Sequence, residues 1–299
     1  MRLGGSFLLL LAAFFWGTTF VAQSVGMEDI GPYTYGAARY VVAVPVVLLI
    51  WLLFRGRREA AKAAGAYRAG WKSGLGAGAI MLAATTLQQV GMQYTTVGKA
   101  AFITCLYLVF VPLVTLLIQK RGELLTWGGA FLALAGLYFL CVSGEGGFSL
   151  AAGDSLMLVS SFFWTMHILY IDRFAALVDA IELSAAQLFV CACGSLVLTF
   201  FLEEPQAAGI WGAWAPILYA GVMSSGVAFT LQIVGQQYTD AALAAVIMSL
   251  EAVIGALAGV LLLGERMDAA ELFGCALMLS GMLFAQLAAL RKGRRADIS

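Results

Sequence analysis

Leu87–Thr95 reads LQQVGMQYT and Leu231–Thr239 reads LQIVGQQYT, the same residue at seven of nine positions. Such self-similarity marks an internal duplication. Outward from it, Phe14-Phe15-Trp16 recurs as Phe162-Phe163-Trp164 and Gly122-Glu123 as Gly264-Glu265. Gly129 and Gly136 repeat the spacing of Gly274 and Gly281. The offset stays nearly constant along the chain, so two related halves follow one another, expected over residues 1–144 and 145–299.

Composition decides the environment of these halves. Hydrophobic residues make up 62% and charged residues 11%, with a mean hydropathy of +0.92. A soluble domain needs about a quarter of its residues charged to face water, so a soluble fold is excluded. Net charge is zero, with one His and no basic block interleaved with aromatics, which argues against a nucleic-acid partner. The five cysteines fall within or at the end of apolar stretches and read as small packing residues rather than a disulfide framework or zinc site.

Crossing a bilayer takes about 20 apolar residues. Ten stretches qualify, near Ser6–Val25, Gly31–Phe54, Gly74–Gly91, Thr96–Gln119, Leu125–Val142, Ala152–Ile171, Glu182–Leu202, Ala213–Gln236, Asp240–Leu263 and Ala269–Leu290. The first could pass for a cleaved signal sequence, but Trp16, Thr18, Thr19 and Gln23 interrupt it and the repeat needs it. Sorting Lys and Arg by side puts fourteen in one set of loops: Arg2, six between Arg55 and Lys72, Lys120, Arg121, Arg173, and Arg291, Lys292, Arg294 and Arg295. Arg266 stands alone opposite, while Arg39 and Lys99 lie inside spans. This bias predicts both termini in the cytoplasm of a cell with the chain in its inner or plasma membrane.

Each half therefore carries five spans. Five is odd, so the second copy inserts upside down, and the predicted fold is all-α, with ten transmembrane helices as two inverted five-helix repeats. Exchange of conformation between inverted halves converts an inward-open cavity into an outward-open one around a site at the midplane.

Polar residues within spans mark the candidate site, because each is costly in lipid unless it faces a cavity or a partner helix. Trp16, Thr19 and Gln23 share one face of the first span, and Ser160, Trp164 and His167 share one face of the sixth. The repeat superimposes Trp16 on Trp164, so the two helices are expected to present opposite walls of one cavity; the competing reading is interfacial anchoring of the tryptophans. Thr85, Gln88, Gln89 and Met92 form a stripe on the third span, and Ser225, Gln232 and Gln236 another on the eighth. These side chains suit both orientation of a polar solute and helix-to-helix bonding. Glu251 lies in the middle of the ninth span, opposite Tyr107 of the fourth in the repeat. A lone carboxylate in lipid carries a proton or binds a cation, either of the solute or of Arg39 or Lys99. Lys99 is close enough to its span's end to snorkel, and a satisfied His167 competes with a titrating one. Gly255 and Gly259 form a GxxxG pattern for close helix packing.

The inverted five-plus-five arrangement, Phe14-Phe15-Trp16-Gly17, Gln93-Tyr94-Thr95-Thr96, and Glu251 followed by Leu263-Gly264-Glu265 resemble the EamA-type members of the drug/metabolite transporter superfamily across nearly the whole chain. The resemblance implies a cavity between the repeats, lined by spans one to four and six to nine, with five and ten at the periphery. It also implies a small-molecule substrate, an amino acid or amine foremost, with export favoured over uptake or exchange of another polar metabolite or organic cation. The first half has Tyr107 where the second has Glu251, which breaks the symmetry of charge. Glu251 is the coupling candidate, with a proton as coupling ion; no cofactor or metal is expected, and no Walker A pattern supports ATP drive. The oligomeric state stays open, a homodimer included. An embedded enzyme would need clustered nucleophile, base or metal ligands that a chain with a single His does not offer. A sensor would show no flux across a sealed bilayer.

Overall fold

The computed structural model describes residues 2–119, 124–141, 152–239 and 241–296. Lys120, Arg121, Gly122, Glu123, Val142, Asp240 and the 144/145 boundary between halves lie outside them, as do the side chains of Arg2, Cys141, Arg291, Lys292, Arg294 and Arg295. Among the described residues every regular element is helical, and helices fill all ten expected stretches. Seven are long and apolar enough by themselves to cross a membrane.

The first stretch is α1 (Arg2–Gly26). Helix α2 (Pro32–Leu53) starts on Gly31-Pro32, where proline's missing N–H costs nothing. A short, charged α3 (Arg55–Ala63) with no buried residue precedes α4 (Trp71–Gly91). The fourth span is two helices, α5 (Val97–Thr104) and α6 (Tyr107–Gln119), and α7 (Leu124–Cys141) is the fifth. Helices α8 (Ala152–Ala175) and α9 (Ala180–Leu202) follow, and the Asp179 carboxylate caps α9 by accepting from the N–H groups of Ile181 and Glu182. After α10 (Ala207–Gly212), the eighth span runs through α11 (Trp214–Tyr219), a π-helical stretch over Ala220–Ala228, and α12 (Phe229–Gln236). The ninth is again broken, into α13 (Ala241–Met248) and α14 (Leu250–Leu263), and α15 (Ala269–Ala296) is the tenth.

Small residues decide which helices touch. A Cβ on Gly17 would lie 2.7 Å from Ile254, and one on Gly255 would lie 2.8 Å from the Ala101 Cβ, so α14 packs against both α1 and α5. The GxxxG pattern thereby finds its partners. Gly78 likewise lets α4 approach Gln187 and Val190 of α9. Helices α7 and α15 pack on each other at Gly136, Gly274 and Met278, with Phe139 and Phe273 edge to face at 5.0 Å. The outer faces are apolar, as a hydrocarbon surround requires: Leu261 and Phe200 are each 78% exposed. Cys193 is also exposed, which corrects the expectation that it packs inside; Cys105, Cys191 and Cys275 are buried.

Candidate functional site

A cavity lies at the centre of the bundle, bordered by α1, α2, α4, α5, α6, α8, the eighth span, α13 and α14. Three of those helices carry unusual backbone there. The break between α5 and α6 falls at Cys105-Leu106 and that between α13 and α14 at Ser249, each beside the cavity. In the eighth span the π-helical stretch brings Ser224 to the wall, and its carbonyl accepts a hydrogen bond from Trp16 Nε1 at 3.3 Å. Backbone groups freed by breaks and π turns are tolerated at membrane depth only where a cavity or a partner satisfies them.

One wall is aromatic. Phe229 sits between the two tryptophans, its ring centroid 5.0 Å from that of Trp16 and 5.8 Å from that of Trp164, the latter pair stacked within 14°. Trp164 Nε1 donates to Gln88 Oε1 at 2.8 Å, which holds the indole in that stack. Both expected tryptophans therefore line the cavity, together with Gln23, Arg39, Gln88, Tyr107, Gln232 and Glu251.

Seven other expected residues sit elsewhere. Thr19 turns back to the Phe15 carbonyl of its own helix, because the lining face of α1 is Trp16, Phe20 and Gln23 at i, i+4 and i+7. Ser225 is buried but one position off the lining, since the π-helical stretch shifts the register so that Ser224, Phe229 and Gln232 face inward. Ser160 donates to the Ala84 carbonyl and joins α8 to α4. His167 pairs with Gln187 Oε1 at 3.0 Å, fully buried behind Phe229. Thr85 and Gln89 line a smaller neighbouring cleft, where Gln89 also reaches Met27. Lys99 lies away from the cavity and forms an ion pair with Glu271 at 2.9 Å, so neither snorkelling alone nor a pair with Glu251 describes it. The sequence reading missed Phe20, Thr104, Ile168, Ser224, Phe229 and Met248. Most are apolar and indistinguishable in sequence from lipid-facing residues.

The two charges of the cavity do not meet. Glu251 Oε1 accepts from Tyr107 O–H at 3.1 Å and from the Cys105 thiol at 3.5 Å, and it forms no ion pair among the described residues. Cys105 is thus part of this cluster rather than mere filling. Arg39 donates from Nη1 to Gln23 Oε1 at 2.9 Å and from Nη2 to Tyr40 O–H at 2.7 Å, both neutral. No cluster of metal-ligating side chains occurs among the described residues.

Comparison with known proteins agrees with this architecture. A solved crystal structure superimposes with a TM-score of 0.71 over 97% of this chain and 99% of its own, at 19% identity, which shows the shared fold. An uncharacterized transporter of Archaeoglobus fulgidus is 30% identical over 93% of this chain and 84% of its own length. The uncharacterized transporter YwfM of Bacillus subtilis is 25% identical over 98% and 96%. The pattern of the EamA-like transporter family matches twice, over residues 3–142 and 151–286. The chain is therefore a multi-pass membrane protein that belongs to the EamA-like transporter family.

Proposed function

We propose that this transporter is a secondary carrier of a small organic metabolite, an amino acid or amine, working by alternating access between inverted halves at residues 1–144 and 145–299, with export the favoured direction. The observation that carries the reading is the contact between Tyr107 and Glu251. The two are 144 positions apart, the offset of Leu87 and Leu231, so they are equivalent positions of the two halves. Equivalent residues meet only at the axis that relates two copies. Cys105 and Ser249, where the two broken spans interrupt, are separated by the same offset and are also in contact. Discontinuous helices meeting at such an axis, beside a cavity, are the arrangement that inverted-repeat carriers use for a midplane site.

Glu251 takes the coupling role in this scheme. Its carboxyl has only weak hydroxyl and thiol donors, so a proton or a cationic solute group is what balances its charge. The bias of Lys and Arg orients both termini to the cytoplasm of a plasma or inner membrane. In proteoliposomes with an imposed pH gradient, Glu251→Gln abolishes gradient-driven flux of a solute the wild type carries while leaving its exchange intact. Undiminished gradient-driven flux in that variant removes Glu251 from coupling.

A further inference from the structure

Arg39 is 4% exposed, yet among the described residues it forms no ion pair. Its two hydrogen bonds go to a neutral amide and a neutral phenol, and its Nε has no partner. The Tyr40 ring, its centroid 4.7 Å from Cζ, offsets only part of the cost of burying the guanidinium, and an uncharged side chain would meet the same helix contacts without that cost. At the offset that relates Trp16 to Trp164, α9 has one, Gln187, which pairs with His167. Arg39 is also the residue that lines both the central cavity and the smaller cleft between α2, α4 and α9 that holds Pro32, Thr85, Gln89 and Ser195.

We propose that Arg39 anchors a carboxylate of the transported solute, which is accordingly an organic acid or zwitterion with an apolar body lying against Trp16, Trp164 and Phe229, and not a simple amine. The proposal rests on the reading of the cavity as the transport site. The Nε–H is unengaged, and the guanidinium edge formed by Nε–H and a neighbouring Nη N–H is the fork that a carboxylate grips with both oxygens. Neutral Thr104 Oγ1 and Gln232 Oε1, buried and unpartnered, add to the polar side chains that line the cavity beside its aromatic face. Glu251 remains for a proton or for the ammonium of a zwitterion.

The test uses the purified full-length chain and matched sets of probes: straight-chain, branched and aromatic amino acids, their decarboxylated amines, and their deaminated acids. Binding is read by quenching of tryptophan emission and by thermal stabilisation. Members with a carboxylate bind the wild type at least tenfold more tightly than the amine of the same set. Arg39→Gln removes that preference and Arg39→Lys keeps part of it. Amines binding as tightly as their amino acids, or no carboxylate compound binding, overturns the proposal, and both results come from the wild type, so they do not depend on a variant that folds. Flux across sealed vesicles separates the two readings: carriage of amines alone keeps the transporter and removes the anchor, whereas carboxylate binding without flux keeps the anchor and removes the transport role.

Discussion

Phe229 is the residue on which the aromatic wall turns, and nothing in its local sequence announces it. It contacts Trp16, Trp164 and His167 and is 3% exposed. Truncation to Ala empties the space between two indoles and costs about 3–5 kcal/mol, while Leu refills most of it. Phe229→Ala therefore lowers the melting temperature in detergent far more than Phe229→Leu and shifts tryptophan emission to the red as water enters. A Leu variant as unstable as the Ala variant contradicts this packing account. The polar residues of the site were legible because their expense in lipid flags them: Gln23, Arg39, Gln88, Gln232 and Glu251 all reach the cavity. That same expense could not separate a lining group from a structural one. Ser160 and His167 are as polar as Gln88, but their partners on α4 and α9 become visible only once the helices are packed.

Helix ends show what the elements need. The Glu265 carboxylate, just past the left-handed Gly264 that terminates α14, accepts from the N–H groups of Val97 at 2.7 Å and Gly98 at 3.1 Å, so the end of one helix caps the start of α5. Lys99 and Glu271 tie the same corner. Glu203, at the end of α9, accepts from the N–H groups of Tyr33 and Thr34 and caps α2 in the same manner. Bonds from orphan N–H groups to a charged acceptor are worth about 1.5–3 kcal/mol each. Glu265→Ala is expected to lose a few kcal/mol of stability and Glu265→Gln distinctly less, read by thermal unfolding, with hydrogen exchange rising first at residues 97–99. Equal losses in the two variants, with no change in exchange there, contradict the capping role. The glutamate's recurrence in the repeat was readable from Gly122-Glu123 and Gly264-Glu265, but its function was not, since a cap between distant helices leaves no local pattern. The breaks at Cys105 and Ser249 were invisible for a related reason: no Gly or Pro stands at either break.

At the scale of the whole molecule, span count, charge bias and repeat were three independent readings of one sequence, and they agree because hydropathy, side preference and duplication each constrain the number of crossings. A missed or added crossing would move every later basic loop to the other face. The ends of the bundle differ accordingly. At one, Arg58 binds Asp179 at 2.7 Å and Glu182 at 3.0 Å, Lys62 joins the same carboxylates, and Arg68 and Val178 pair their backbones. This cluster holds the loop before α4 against the start of α9, the end that the positive-inside bias predicts to be cytoplasmic. At the other end, the exposed turn between α9 and α10 carries Gln206. Both loops connect helices that begin an odd number of crossings apart in the two halves, so inversion demands opposite faces for the α3–α4 loop and the α9–α10 turn. In a background with the native cysteines replaced, Gln206→Cys reacts with a membrane-impermeant maleimide on intact cells, whereas Ala66→Cys, also exposed, reacts only after permeabilisation. Labelling of both from the same side contradicts the inverted arrangement, and a clean reversal preserves the inversion while overturning the orientation, so one experiment tests the two halves of the topology separately.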